Sequence, residues 1–400
     1  SVYPRNRDFG VMDVIKKARS GTFPTAEFSN WIDGYDASHP QLETLKRGAK
    51  VGVSSVLSKP DVVVPYFDAR GVPYLDEEFQ TFQDEWTIFP YNPSRKWPTT
   101  LLTSDRWGYE ASVPKSRADY ILWYYNKMLD SGAVDAIYFD VTYLRAVRQT
   151  IAAGAYVDEN GKLRPSCELF ALRDLFKRCA VLTQQKRGHN FNISHMTHAE
   201  VAPLQTWFGV NLDWESHYGT DDFQDRFGRD LIQTSTLGQH CGTIPVVLGS
   251  LGIRGNNLSE KEKGRILRTL AGCLLTHEVK DWAIGWGKES VYSQVLRILY
   301  QFGYGEAGCR TYNYWQKNYP LAVHGIDSTS LLLAKDNEAL IVIADYGNGG
   351  KGDLSLDTAV LNLKKNGKFY NAETGQALSA EKNSCAFEIK KHDFMIIHYR

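Results

Sequence analysis

The sequence predicts an α/β fold: a (β/α)8 barrel of the TIM type followed by a small antiparallel β-sandwich domain. Short apolar runs alternate with helical segments over the middle of the chain, which is typical of βαβ units on a parallel sheet. Three of these runs end in carboxylates, at Asp68, Asp140 and Asp213. From about residue 328 the hydrophobic pattern changes to a period of two with turn residues, which indicates antiparallel strands.

Length and charge limit the classes of protein and partner. A chain of 400 residues is too long for one ordinary core, so we expect a large domain of roughly 250 to 330 residues and a small one. Lys plus Arg number 46 and Asp plus Glu number 46, so no global field favours nucleic acid or an anionic membrane. No apolar run reaches the length of a membrane span. We therefore expect an uncharged or small partner.

The elements can be placed along the chain by period and by capping residues. A helix is predicted over 116–130 with Ser116 as its N-cap and Gly132 just beyond its end, and another over 168–187 that stops at Gly188. The remaining predicted elements are strands 135–140, 190–194, 206–212, 243–248 and 281–286, and helices 225–239, 259–276 and 289–302.

Counting backwards from strand 281–286 as the eighth makes 135–140 the fourth strand and 62–67 the third. Residues 1–60 must then supply two strands, and only weak runs such as 51–56 are available there. We therefore expect either a barrel that is incomplete at its start or a segment that is the trimmed edge of a larger protein. The predicted domains are an uncertain segment 1–60, a catalytic barrel 61–325 and an antiparallel domain 328–400. Loop or hairpin residues fall at Asn348–Gly352 and Lys365–Gly367.

The strand-end carboxylates are the first candidates for chemistry. In a TIM barrel the carboxyl ends of the strands carry the active site, and ionisable groups are admitted to a buried strand only where it leaves the core. Asp140 ends the run Asp135-Ala-Ile-Tyr-Phe, Asp68 ends a run from Val62, and Asp213 and Glu215 follow Trp207. The structural alternative is that these acids cap helices or pair with arginines such as Arg145.

Cleavage of a glycosidic bond needs two carboxyl groups, and the end of the barrel where these strands terminate can supply them. Asp140 is predicted as the nucleophile or cation-stabilising carboxylate, and Glu215 as the general acid/base. Asp213 and Glu215 share one side if the strand continues through Trp214. Asp213 either binds substrate or is tied to the barrel rim. The predicted substrate-binding residues are Asp68, Asp213, Trp107, Trp214, His195 and Tyr143.

Two other classes of function remain open. A carbohydrate-binding barrel without turnover would have the same fold. A metal-dependent hydrolase could use His195, His198 and Asp140, but His-x-x-His on a loop is a weak metal pattern, so no metal or other cofactor is predicted. The six cysteines form no C-x-x-C pair, which predicts neither a zinc site nor a disulfide scaffold. No phosphate loop or G-x-S-x-G elbow is present.

The sequence resembles bacterial proteins grouped near glycoside hydrolase family 123. The resemblance covers roughly residues 60–400. The segments that carry it are the predicted strand Asp135 to Asp140, the loop Tyr156-Val-Asp-Glu-Asn-Gly-Lys-Leu-Arg-Pro165, the run Asn211-Leu-Asp-Trp-Glu215 with Asp222-Phe-Gln-Asp-Arg226, and the turn Tyr370-Asn-Ala-Glu-Thr-Gly375. It implies a secreted or periplasmic glycosidase with a TIM barrel and a C-terminal β-sandwich. A start at Ser1-Val-Tyr-Pro without Met fits a processed chain.

The chain departs from the family's catalytic pattern. Family 123 enzymes use an adjacent Asp-Glu pair and the substrate's own acetamido group, whereas the Asp-Glu dipeptides here, at residues 76–77, 84–85 and 158–159, fall in loops. The Asp140 and Glu215 arrangement is instead similar to the retaining barrels of melibiases and endo-α-N-acetylgalactosaminidases. That similarity implies a retaining mechanism with a nucleophilic Asp after the fourth strand.

Overall fold

The structure is a computed structural model that describes residues 26–27, 62–68, 71–72, 77–88, 109–132, 134–195, 201–215, 219–235, 242–250, 253, 257–281, 291–364 and 366–400. These residues form two compact units. The first unit contains the described residues up to Asp213 together with 242–244, and the second contains those from Trp214 onward without 242–244. No helix among the described residues is long and apolar enough to cross a membrane.

The first unit is a parallel sheet with helices. Its elements are β1 Ala26–Glu27, β2 Val62–Val63, β3 Tyr66–Asp68, β4 Gly71–Val72, α1 Glu77–Trp86, β5 Tyr109–Glu110, α2 Lys115–Asp130, β6 Tyr138–Asp140, β7 Tyr156–Val157, β8 Leu163–Arg164, α3 Leu169–Arg187, β9 Ile193–His195, α4 Ala202–Gln205 and β10 Val210–Asp213. β1 pairs with β2, and β3, β6, β9 and β10 pair in that order, all parallel. The predicted parallel strands are confirmed here.

One face of this sheet packs on helices. Phe139 of β6 is fully buried, and its ring lies 5.0 Å from that of Phe176 in α3 and 5.9 Å from that of Phe208. Because side chains alternate along a strand, Tyr138 and Asp140 lie on the opposite face from Phe139. The helix-packed face therefore fixes β6 in the register that turns Asp140 away from the helices.

The helix ends show where local sequence was sufficient. α3 ends at Arg187, as predicted, and Gly188 just beyond it has a φ of 74°. The predicted N-cap Ser116 is wrong, because Pro114 occupies that position and makes no side-chain cap. The Ser116 hydroxyl instead accepts a hydrogen bond from Trp86 Nε1 at 3.1 Å and donates one to Glu85 at 2.6 Å. A tertiary contact with α1 has replaced the local cap.

The second unit combines helices, a short parallel pair and an antiparallel sandwich. Its elements are α5 Phe223–Arg226, α6 Arg229–Ser235, β11 Ile244–Val247 (whose first residue belongs to the first unit), α7 Glu260–Thr276, β12 Lys280–Asp281, α8 Val291–Phe302, β13 Arg310–Asn313, β14 Leu321–His324, β15 Ser328–Lys335, β16 Glu338–Asp345, β17 Gly349–Leu356, α9 Thr358–Leu361, β18 Phe369–Asn371, β19 Ala380–Glu381, β20 Ser384–Lys390 and β21 Phe394–Tyr399. The described part of the helix predicted at 225–239 is interrupted, since α5 ends at Arg226 and Phe227 is extended, and residues 236–239 lie outside the described residues. Residues 282–286 of the predicted eighth strand lie outside the described residues.

The predicted antiparallel strands are confirmed, and antiparallel pairing already involves residues 310–324. One sheet has the order β13-β15-β16-β21-β18 and the other β14-β17-β20-β19. β13 pairs with β15 and β14 with β17, so residues 310–324 supply a strand to each sheet. The loop or hairpin predicted at Asn348–Gly352 is wrong in place, because β17 already begins at Gly349 and pairs with β20 in the sheet that does not contain β16. The assignment of 61–325 and 328–400 as domains stays a prediction.

Five of the six cysteines are described, and all five are free thiols.

One buried titratable group in the second unit matters for its stability. His277, just after α7, is 1% exposed. Its Nδ1 lies 2.7 Å from the carbonyl oxygen of Cys273, and its Nε2 lies 2.9 Å from the hydroxyl of Tyr314. Burial lowers the pKa of the His277 imidazole from its ordinary 6.5 to about 4.

We expect the second unit to lose stability as pH falls from about 6.5 to about 4. In that interval the unfolded chain binds a proton at His277 and the folded chain does not, so the free energy of unfolding decreases with falling pH, by about 3 kcal/mol in full. The measurement is chemical denaturation at several pH values for wild type and His277→Gln. The variant should show a flatter profile in this interval, and an equal slope in both proteins would contradict the assignment.

Candidate active site at the strand ends of the first unit

The register of the parallel sheet brings the predicted strand-end residues to one edge. Asp68 is the register partner of Asp140. Ser194, just before His195, pairs with Phe139, and Leu212, just before Asp213, pairs with His195. Asp68, Asp140, His195 and Asp213 therefore end four consecutive parallel strands, although the side chain of Asp68 lies outside the described residues. The prediction that these strands deliver polar residues to one edge is confirmed.

Asp140 is in direct contact with His195. Its Oδ1 lies 3.1 Å from Nδ1 of His195, and the hydroxyl of Tyr138 lies 2.6 Å from the same nitrogen. The Asp140 side chain is 19% exposed and that of His195 only 4%. A buried ring thus holds a carboxylate that still reaches solvent. Tyr138 and Asp140 share a face of β6, which explains why both meet one imidazole.

The backbone after Asp140 is bent into an unusual conformation. Val141 has a φ of 54°, in the left-handed region that a β-branched residue rarely enters. Its N–H donates to Asp140 Oδ1 at 2.9 Å. Thr142 donates from both its N–H and its hydroxyl to the carbonyl oxygen of His195, at 3.1 and 2.9 Å. Such strain costs about 1 to 3 kcal/mol and persists only where surrounding contacts impose it.

The strand carrying Asp213 does not continue to Glu215. β10 ends at Asp213, and Trp214 has a φ of 68°. The condition under which Asp213 and Glu215 would share one side of a strand is therefore not met, because the left-handed residue ends the alternation. Asp213 is 2% exposed and Glu215 is exposed. Glu215 belongs to the second unit, so its distance from Asp140 stays a prediction.

The other predicted substrate-binding residues have varied surroundings. Trp214 is 2% exposed and its ring lies 4.6 Å from that of Phe227, so it contributes to the core of the second unit. Tyr143 is partly exposed, and its hydroxyl accepts a hydrogen bond from Arg145 at 2.8 Å. His195 was predicted on a loop but is the last residue of β9. Trp107 and His198 lie outside the described residues.

A buried polar network under β9 was not found from sequence. Asn192 Oδ1 accepts hydrogen bonds from the N–H of Ile137 at 3.1 Å and the hydroxyl of Tyr125 at 2.9 Å, while its amide donates to Thr183 at 3.0 Å. Ser194 donates to Asn211 at 2.7 Å. Buried polar groups that are satisfied in this way fix the register of neighbouring strands. The residues Asn192-Ile-Ser194 match the pattern for N-glycosylation. Asn192 is 1% exposed, so this sequon is inaccessible in the folded chain.

One group among the described residues has metal-ligand types within reach of one another: Asp222, Asp225 and His392 in the second unit. Its carboxylates already pair with cations, Asp222 with Arg265, and Asp225 with Lys391 at 3.7 Å. His392 Nδ1 lies 2.9 Å from Asp222. The cluster fits an ion-pair network. At the strand ends, Tyr138 and Asp140 both contact Nδ1 of His195, so this nitrogen could bind an ion only by exchanging those contacts.

We expect His195 to act by positioning Asp140. His195→Gln should lower kcat about a hundredfold with little change in KM, since a carboxylate displaced by ~1 Å loses alignment with the reacting atom. Tyr138→Phe keeps the ring and removes only one contact to the imidazole, so its effect should be smaller. Steady-state kinetics on an aryl glycoside provide the measurement. Loss of stability with unchanged kcat in His195→Gln would show that the histidine is purely structural.

Comparison with known proteins identifies the fold. No protein-family model matches the chain, and no curated protein matches it. Among solved structures, a maltogenic α-amylase from Thermotoga neapolitana is 13% identical with a TM-score of 0.50, covering 84% of this chain and 77% of that one. An α-amylase from Geobacillus thermoleovorans, complexed with acarbose, is 10% identical with a TM-score of 0.51, covering 85% and 77%.

A third similar structure is a cycloisomaltooligosaccharide glucanotransferase from Paenibacillus sp., 7% identical with a TM-score of 0.54, covering 84% of this chain and 73% of that one. Two of these three neighbours are α-amylases and the third is a glucanotransferase, and they share the TIM-barrel fold. At these identities the likeness shows the fold alone. The predicted likeness to TIM-barrel enzymes is confirmed at the level of the fold, whereas membership of family 123 and closure of the barrel stay predictions.

Proposed function

We propose that the protein is a glycoside hydrolase that cleaves glycosidic bonds of a complex poly- or oligosaccharide. The observation that carries the proposal is Asp140: a partly exposed carboxylate at the end of a buried parallel strand, in register with Asp68 and 3.1 Å from the buried imidazole of His195. A carboxylate that is held rigidly and remains accessible suits attack on, or stabilisation of, a cationic anomeric carbon.

Apart from His195, which positions Asp140, and Trp214, which lies in the core of the second unit, the remaining residues take the roles expected from the sequence. Asp140 acts as nucleophile and Glu215 as general acid/base. Asp68 and Asp213 bind sugar hydroxyls, and Trp107 and Tyr143 shape the subsite. The exposure of Glu215 is compatible with access to substrate. We further propose action on polysaccharide outside the cytoplasm, in the secreted or periplasmic location that the family resemblance implies.

The test is turnover on a panel of aryl α- and β-glycosides, followed by starch, dextran and plant or algal polysaccharides. Starch and dextran are included because two structural neighbours are α-amylases and one is a cycloisomaltooligosaccharide glucanotransferase. Release of aryl alcohol or reducing ends is expected for at least one substrate. Sugar binding without turnover would instead indicate a carbohydrate-binding barrel, and activity lost in EDTA would indicate a metal-dependent hydrolase.

We expect the reaction to retain anomeric configuration. In a retaining enzyme the two carboxyl groups lie about 5 to 5.5 Å apart and one attacks the sugar directly, whereas inversion needs about 6.5 to 9.5 Å to admit a water molecule. Proton NMR during the first minutes of hydrolysis shows the anomer released before mutarotation. A first product of inverted configuration would remove Asp140 from the role of nucleophile and make it a base.

A further inference from the structure

The second unit contains a concave cavity of about 470 Å³ that includes none of the strand-end residues. It lies between the end of α8, the turn from β15 to β16, β18 and the end of β21. Its size is within the range of small-ligand sites, about 300 to 1,000 Å³. Side chains that define its chemistry include Phe302, Lys335, Glu338, Tyr370, His398 and Arg400.

Part of the cavity wall is a row of side chains across three antiparallel strands. Leu340 pairs with His398, and His398 pairs with Tyr370, so the three side chains lie side by side on one sheet face. The ring of Phe302, from α8, meets the His398 ring edge-on at 5.6 Å between centroids. Tyr370 and Phe302 are partly exposed, so the cavity presents apolar ring surface to a ligand.

The cavity is lined by charged groups of both signs. They are two cationic side chains, Lys335 and Arg400, and two acidic ones, Asp336 and Glu338. Glu338 lies 2.9 Å from His398 Nε2, and Lys335 bonds to Glu306 at 2.8 Å. A charged ligand would therefore meet groups of its own sign. A neutral ligand can use donors and acceptors at once.

The Arg400 guanidinium lies 4.6 Å from the centre of the Tyr370 ring. This contact orients the ring against the cavity and keeps a planar set of donors beside it. Burial lowers the pKa of His398, and Glu338 opposes that effect. A wall of oriented rings with fixed donors and acceptors is suited to a molecule that has apolar faces and polar edges, which is the chemistry of a sugar ring.

We propose that this cavity is a second carbohydrate-binding site, which takes a short neutral oligosaccharide and has no part in bond cleavage. The class of ligand rests on the proposed function, but the cavity itself does not. The site would hold a polysaccharide chain on the β domain while the strand-end carboxylates act on it. Substitutions here should affect binding of oligosaccharides and leave turnover of aryl monoglycosides unchanged.

The experiment is calorimetric titration of the full chain with maltoheptaose, cellohexaose, xylohexaose and mannohexaose, in an Asp140→Asn background that prevents turnover. Two added variants target the cavity: Tyr370→Ala removes a ring, and Glu338→Gln keeps shape while removing the charge that pairs with His398. Trp123→Ala is the matched control, because Trp123 is an aromatic residue 50% exposed on α2, outside the cavity. Thermal unfolding of each variant checks that it folds.

We expect at least one oligosaccharide to bind, with affinity at least about tenfold weaker in Tyr370→Ala and Glu338→Gln and unchanged in Trp123→Ala. If none of the four binds, or if both cavity variants bind as the parent does, the proposal is wrong. Binding of citrate in place of sugars would overturn the ligand class. If aryl glycosides are not cleaved while the cavity variants still lose oligosaccharide binding, the hydrolase proposal fails and this one stands.

Discussion

Asp140→Asn should abolish turnover and leave the fold intact. The amide keeps the size and shape of the side chain but cannot attack or stabilise a cationic anomeric carbon, so kcat should fall about a thousandfold or more. The backbone N–H of Val141 can still donate to the amide oxygen, which preserves the bend after β6. The measurement is kcat/KM on the best aryl glycoside together with the affinity for a non-hydrolysed sugar.

A control variant separates catalysis from loss of charge. Asp174 lies on α3 with a side chain 64% exposed and pairs with Arg178 at 3.8 Å. Asp174→Asn removes one negative charge from the same unit and should leave activity within about twofold, because exposed ion pairs contribute little. Asp140→Asn activity within about tenfold of wild type would remove Asp140 from the chemistry.

The loss of activity in Glu215→Gln should depend on the leaving group of the substrate. A general acid supplies about 100- to 10,000-fold when the departing oxygen needs a proton, so natural glycosides and poor leaving groups should lose activity in that range. Activated aryl glycosides such as the 2,4-dinitrophenyl derivatives need little protonation and should lose less than about tenfold. The measurement is the slope of log kcat/KM against leaving-group acidity, which should steepen in the variant.

The matched control here is Glu260→Gln. Glu260 is an exposed glutamate in the second unit and pairs with Lys263 at 3.0 Å in the first turn of α7. Its removal should leave the leaving-group slope unchanged. Equal losses on all substrates in Glu215→Gln would show that Glu215 is not the acid, and Asp213 or Asp68 would become the next residue to replace.

The sequence alone predicted the features that depend on local pattern. Period and capping residues located the helix that ends before Gly188, and the helical pattern over 259–276 located α7. Apolar runs ending in Asp68, Asp140 and Asp213 predicted that three parallel strands deliver acids to one edge. These inferences succeed because hydrogen bonding within a helix and burial of a central strand constrain consecutive residues.

Only the tertiary structure decided which partners each side chain meets. The Ser116 hydroxyl bonds to Trp86 and Glu85 of α1 and therefore does not cap α2. The left-handed conformation of Trp214 ended β10 and separated Asp213 from Glu215 on the strand. The contact between Asp140 and His195 joins residues 55 positions apart, brought together because β6 and β9 pair in parallel. Such contacts depend on sheet register and on strain imposed from elsewhere in the fold, and neither leaves a local pattern in the sequence.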